Sequence, residues 1–126
     1  PDALASALAV GSPQPTIVCC QAGNVNTGAL DPVGGLADVA HRHGAWLHVD
    51  GAIGLWSAVC TPSKLPGLER ADSWSTDAHK WLNVPYDCGI TFCAHPQSHR
   101  ASMAVTAAYL VQSAPGGDRD PMDWTP

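Results

Sequence analysis

DSWSTDAHKWLNVPYDCG, residues 72–89, holds one of only two lysines in a chain of 126 residues. That lysine, Lys80, follows His79 and sits among Trp81, Leu82, Val84 and Tyr86, a setting that reads as buried. Lysine is rarely buried fully unless a partner or a reaction holds it there. Two accounts therefore stand for Lys80: a patch of local surface, or a position kept for chemistry. Its surroundings decide the fold. DSWSTD (72–77) reads as a strand leading into the lysine, and GITFCA (89–94) as another strand after it.

Outward from this stretch, the pattern alternates between strands and helices. AWLHVD (45–50) predicts a strand, followed by a turn at Gly51–Gly54 and a connector over 62–70 with a short helix. TIVCCQ (16–21) is a short apolar run between a proline and Ala-Gly-Asn, as expected of a strand buried on both faces. The loop GNVNTGALDP leads to Asp31, expected to cap a helix that starts at Pro32. Val33, Leu36, Val39 and Ala40 repeat at helical spacing and Gly44 ends the helix, although Gly34 and Gly35 weaken it. DALASALAV (2–10) predicts a further helix with Asp2 as N-cap. PQSHRASMAV (96–105) begins another, and the rest, through Gly116 and Gly117, reads as irregular.

Strand, helix, strand, connector, strand is the order of βαβ units, so the chain is expected to be α/β with a largely parallel sheet. Ligands of such sheets gather at the carboxyl ends of the strands. Those ends are Gly23–Asn26, Asp50–Ala52 and Asp77–Lys80, which brings Asp50 and Lys80 to one edge.

Bulk properties bound the function. The length suits one domain at most. Apolar residues make up 45% and charged residues 13%, which suggests that part of the surface lies against something else. The net charge of −5, with no run of Lys or Arg, argues against nucleic acid and anionic membranes. No apolar stretch is long enough to span a bilayer, and no leader opens the chain. Five scattered cysteines read as reduced and buried in a cytoplasmic protein. Pro1 and the closing MDWTP predict an internal piece of a longer protein.

A lysine amine forms Schiff bases with carbonyls, and a nearby carboxylate can hold a protonated partner. Pyridoxal phosphate (PLP) uses both, a lysine for its aldehyde and an acid for its ring nitrogen. The short Ala52 side chain would let a flat ring approach, and His79 adds a donor and a ring. The plainer account makes Asp50 a turn residue and Lys80 part of a solvated loop.

HVDGA (48–52), with TDAHKW (76–81) placing Lys80 thirty positions after Asp50, resembles the fold-type I PLP enzymes. HKWLNVPYDCG (79–89) is similar in particular to the group II amino-acid decarboxylases. The loop GNVNTGALDP matches the family's order, with Asp31 nineteen residues before Asp50, so the resemblance covers residues 16–126. It implies part of the three-layer, mainly parallel sheet of the PLP-binding large domain, residues 1–126 being a fragment of it. It implies Lys80 as the Schiff-base lysine and Asp50 as the partner of the pyridine nitrogen. Ala52 would pack on the ring, and His79 and Asp77 would support the lysine and the phosphate end.

The activity implied is decarboxylation of an L-amino acid by a homodimer. The small C-terminal domain, the upstream phosphate-binding segment and the mobile loop of the family are missing, so the isolated fragment is expected to be inactive. Two positions depart from the family pattern: Asp77 replaces a common Asn, and Asn24-Val25-Asn26 replaces Thr or Ser.

Other readings compete. Sphingosine-phosphate-lyase-like and cysteine-desulfurase-like enzymes also pair a strand Asp with a His-Lys. An inactive structural remnant is a further alternative. Cys88, Cys93, His95 and His99 superficially suggest a zinc module, but one residue separates the Cys pair from the His pair, where a finger needs a dozen or so. His41 and His43 suit a helix C-terminus and need no further role. His48 is expected to be a satisfied core histidine facing the same way as Asp50. Trp46, Trp56, Trp74 and Trp81 read as core and interface anchors, and Tyr109 as a residue packed at a domain edge.

Overall fold

The computed structural model describes residues 1–11 and 14–103. The expectations for Tyr109, for the irregular remainder and for the end of the last helix lie outside the described residues. The chain divides into two compact units, Pro1–Ala94 and His95–Pro126. In the second, α5 (Pro96–Met103) is a helix whose His99 N–H bonds to His95 O at 3.0 Å.

The first unit is built on four strands: β1 (Ile17–Gln21), β2 (Trp46–Asp50), β3 (Ser73–Asp77) and β4 (Gly89–Cys93). They lie side by side in chain order. β1, β2 and β3 run parallel and β4 runs antiparallel to β3, so the sheet is mainly parallel, as expected. The helices are α1 (Asp2–Ala9), α2 (Val33–Arg42), α3 (Ser57–Cys60) and α4 (Ala78–Trp81). Two short 3-10 turns, Pro62–Lys64 and Leu68–Arg70, make up the connector.

The core lies between α2 and one sheet face. Val33, Ala37 and Ala40 of α2 pack on Val18 and Cys20 of β1 and on Leu47 and Val49 of β2. Leu47 and Val49 are fully buried. A side chain of this kind contributes about 1.5–3 kcal/mol when removed from water. Gly34, which weakens the helix by propensity, has a packing reason. The loop at Pro66–Gly67 lies so close that a Cβ on Gly67 would fall on Gly34 Cα, and Gly34 N–H donates to Pro66 O at 3.2 Å.

Several expectations are corrected. β1 is not buried on both faces; it alternates, with Val18 and Cys20 inside and Ile17, Cys19 and Gln21 exposed. α2 covers the inner face, where its Val33, Ala37 and Ala40 pack. The expectation that the cysteines are buried holds for one of the five. All five are free, Cys20 is buried, and Cys19 and Cys60 are exposed. Burial, followed by the nearby Asp31 and Cys19, pushes the Cys20 thiol up to about 11.

Neither expected aspartate cap forms. Asp2 is the first residue of α1, and the N-cap positions are Pro1 and Pro32. The Asp31 carboxylate turns back instead and accepts the Gln21 N–H at 2.7 Å. His41 does have a further role. Its Nε2 lies 3.1 Å from Asp72 Oδ2, and that oxygen also accepts the Leu47 N–H at 2.7 Å. Trp74 packs on the core and donates to Leu68 O, while Trp81 is exposed.

Candidate active site

Asp50 ends β2 and Asp77 ends β3, and these strands are parallel neighbours with Asp50 paired to Ser75. Both carboxylates therefore emerge at the carboxyl edge of the sheet. α4 starts directly after Asp77 and carries His79 and Lys80 at the same edge. The topology thus brings together the five residues singled out from the sequence: Asp50, Ala52, Asp77, His79 and Lys80.

The turn after β2 is locked by close packing. Gly51 N–H donates to Ser75 O at 2.8 Å, and a Cβ on Gly51 would stand 2.5 Å from Leu55 Cβ. A Cβ on Gly54 would stand 2.5 Å from Ala22 O, in the loop after β1. The buried Thr76 hydroxyl donates to Gly51 O at 3.2 Å and ties β3 to the same turn. Within this frame Ala52 N–H donates to Asp50 Oδ1 at 3.0 Å, which fixes the carboxylate by its own turn. His48, on the Asp50 side of β2, has Nδ1 2.8 Å from Ser73 Oγ and Nε2 3.2 Å from Ser75 Oγ. Both ring nitrogens are engaged, as expected of a satisfied histidine.

On β3 and α4, Asp77 Oδ2 lies 2.5 Å from Lys80 Nζ, three residues on. Asp77 occupies the N-cap position of α4 yet makes no side-chain cap bond; its carboxylate holds the ammonium instead. The Lys80 hydrogen bond and charge keep the Asp77 carboxyl below the usual carboxylate range, with a smaller contribution from His79. Cys88 N–H donates to His79 Nδ1 at 3.0 Å. Nδ1 is thus the acceptor of the ring, so the neutral imidazole carries its proton on Nε2, 3.9 Å from Asp77 Oδ2. The exposed Tyr86 ring lies tilted against His79, with ring centroids 4.4 Å apart.

Lys80, Trp81, Leu82 and Tyr86 are exposed, which corrects the buried reading of this stretch. α4 is a single turn at the end of a strand, and residues 82–88 run over the surface beyond it. The loop Asn24–Asn26 is held by itself: Asn24 Oδ1 accepts from the N–H of Asn26 and of Thr27. Sequence reasoning missed the contribution of Cys88, whose backbone N–H orients His79 from nine residues away. Its only sequence signal was the turn-rich NVPYDCG that returns the chain to β4. Beside this edge a cavity of about 360 Å³ is lined by residues that include Gly23, Gly54, Lys64 and Trp81.

An exposed lysine and a turn-fixed carboxylate stand at the carboxyl edge of a mainly parallel α/β sheet, and that sheet matches the fold of fold-type I PLP decarboxylases. The chain belongs to the family of the pyridoxal-dependent decarboxylase conserved domain, whose pattern matches residues 4–125. It is 38% identical over 102 residues to tryptophan decarboxylase 1 of Oryza sativa subsp. japonica, which covers 79% of this chain and 20% of that protein. The structure of Oryza sativa TDC with PLP and tryptamine matches with a TM-score of 0.73 and 36% identity, over 89% of this chain and 23% of that one. Rhodiola rosea 4-hydroxyphenylacetaldehyde synthase matches with a TM-score of 0.70 and 37% identity, over 82% of this chain and 22% of that one. The chain thus spans about a fifth to a quarter of the length of these relatives.

Proposed function

We propose that the chain is part of the PLP-binding large domain of an amino-acid decarboxylase, a carboxy-lyase that acts on aromatic L-amino acids. The observation that carries this reading is the parallel pairing of β2 with β3, which sets Asp50 and Lys80 on one edge. The donor set suits PLP. Lys80 offers an accessible amine for the aldehyde. Asp50 keeps Oδ2 without a hydrogen-bond partner among the described residues while Oδ1 is held by Ala52 N–H. A carboxylate placed in this way can hold a proton on a ring nitrogen.

The bound cofactor supplies an electron-poor ring that takes up the electron pair released when the substrate's carboxylate departs. The protein's share is placement. Asp50 keeps the ring nitrogen protonated, and the small Ala52 leaves room for a flat ring. Lys80 provides the amine and afterwards a proton donor. His79, oriented by Cys88 N–H, presents Nε2–H beside the lysine. The intact protein is a cytoplasmic homodimer in this reading, as the family resemblance implies.

The test is release of carbon dioxide from tryptophan, tyrosine and DOPA by the full-length protein that carries this chain, with amine and aldehyde products both quantified. Lys80→Ala is expected to remove turnover. Undiminished turnover in that variant, or none with any amino acid in the parent, refutes the reading. The isolated 126-residue chain is expected to show no turnover, because it holds only this edge of the site.

A further inference from the structure

We propose that Asp77 is a positioning residue that holds Lys80 in a closed ion pair, and that Nζ reacts with a carbonyl only after this pair opens. The proposal rests on the PLP reading for its biological sense, but its geometry stands alone. Asp77 Oδ2 lies 2.5 Å from Lys80 Nζ, across one turn of α4. The carboxylate is not engaged as a helix cap, although it occupies the cap position. Its other neighbour, His79 Nε2, is 3.9 Å away, beyond hydrogen-bond reach. The ammonium is thus the principal partner of Asp77, and Asp77 the partner of the ammonium.

The chemistry gives that contact a consequence. Imine formation needs the nitrogen lone pair. Nζ first gives one proton to solvent and then adds to the carbonyl carbon. Its two remaining protons leave with the carbonyl oxygen as water, and a C=N bond is left. An ammonium held against the carboxylate has no lone pair to offer. Asp77 places a negative charge against Nζ, so the lysine of this chain starts from a paired state. The pair is partly exposed, with 38% of the Lys80 and 29% of the Asp77 side chain accessible, so solvent screens it and it can open.

The chain supplies its own control. Lys64 is exposed, ends the Pro62–Lys64 turn, and has no ion-pair partner among the described residues. The experiment labels the cofactor-free full-length protein with trace acetic anhydride and measures the ratio of Lys80 to Lys64 acetylation by peptide mass spectrometry. Asp77→Asn is expected to raise the ratio about two- to five-fold, the range that exposed ion pairs span. Asp77→Glu, which keeps a carboxylate in reach, is expected to stay near the parent. Salt at about 1 M is expected to raise the ratio in the parent and leave it unchanged in Asp77→Asn.

A ratio that moves neither with salt in the parent nor with Asp77→Asn overturns the proposal, and the salt arm needs no variant to fold. A parallel arm adds PLP, reduces with borohydride and maps the pyridoxyl group. If that group does not reach Lys80, the PLP reading fails while the acetylation ratio still decides the ion pair. If it reaches Lys80 equally fast in parent and Asp77→Asn, the ion-pair proposal fails while the PLP reading stands.

Discussion

Asp72 and Asp77 stand at opposite ends of one strand and illustrate two uses of a carboxylate. Asp72, just before β3, is 9% exposed. It accepts the Leu47 N–H at 2.7 Å and meets His41 at 3.1 Å, while its own N–H and C=O bond to Leu47 O and Ala94 N. Asp77, at the far end, is held by one flexible ammonium and lies only loosely near His79. A carboxylate clasped by a backbone N–H and a histidine ring splices strands together at the amino edge. A carboxylate held by a flexible side chain can let go, and this one stands at the edge where chemistry is expected.

The comparison breaks first on stability. Asp72→Ala leaves the buried Leu47 N–H without an acceptor and is expected to destabilise the fold by about 1–3 kcal/mol in urea unfolding. Asp77→Ala removes only a partly exposed pair, so its unfolding midpoint should match the parent's. Equal losses would erase the distinction. Gly54→Ala sharpens it from the other side, because the active edge also has a rigid part. The added methyl would meet Ala22 O, and a cost of about 1–3 kcal/mol is expected in the same assay.

The smallest effect is a pH dependence. Hydrogen bonding and charge from Arg70 hold the Asp38 carboxyl below its usual range, and Lys80 does the same for Asp77. For a depressed carboxyl, the stabilisation is present above the unfolded value, near ~3.9, and is lost as pH falls through the lower folded value. Arg70→Gln should therefore flatten the acid limb of a plot of urea midpoint against pH. At neutral pH the change should be slight, since both Arg70 and Asp38 are exposed.

The sheet was legible because its strands are short apolar runs punctuated by Gly, Pro and Asn. All four fall within a residue of the boundaries read from the sequence. The gathering of Asp50 and Lys80 followed from strand order alone, since parallel neighbours present their carboxyl ends together. What escaped depends on partners distant in the chain. Asp31 and Asp2 look like caps locally, but Asp31 is taken by Gln21 N–H across the loop. His41 looks like a simple helix-end residue until Asp72, thirty-one residues away, is placed beside it. The exposed half of β1 was unreadable because an apolar run does not record which of its faces a helix covers. Asp77 was expected to support the lysine and the phosphate end, but its direct ion pair needed the turn of α4 to become visible.

The central claim is that Lys80, opposite Asp50 on one sheet edge, is where PLP is bound. The most direct test is to load the full-length protein with PLP, reduce with borohydride and locate the pyridoxyl group by peptide mass spectrometry. The account predicts the group on Lys80, with Asp50→Asn retaining the attachment but losing turnover. Attachment at Lys64, or at no lysine of this chain, would contradict it.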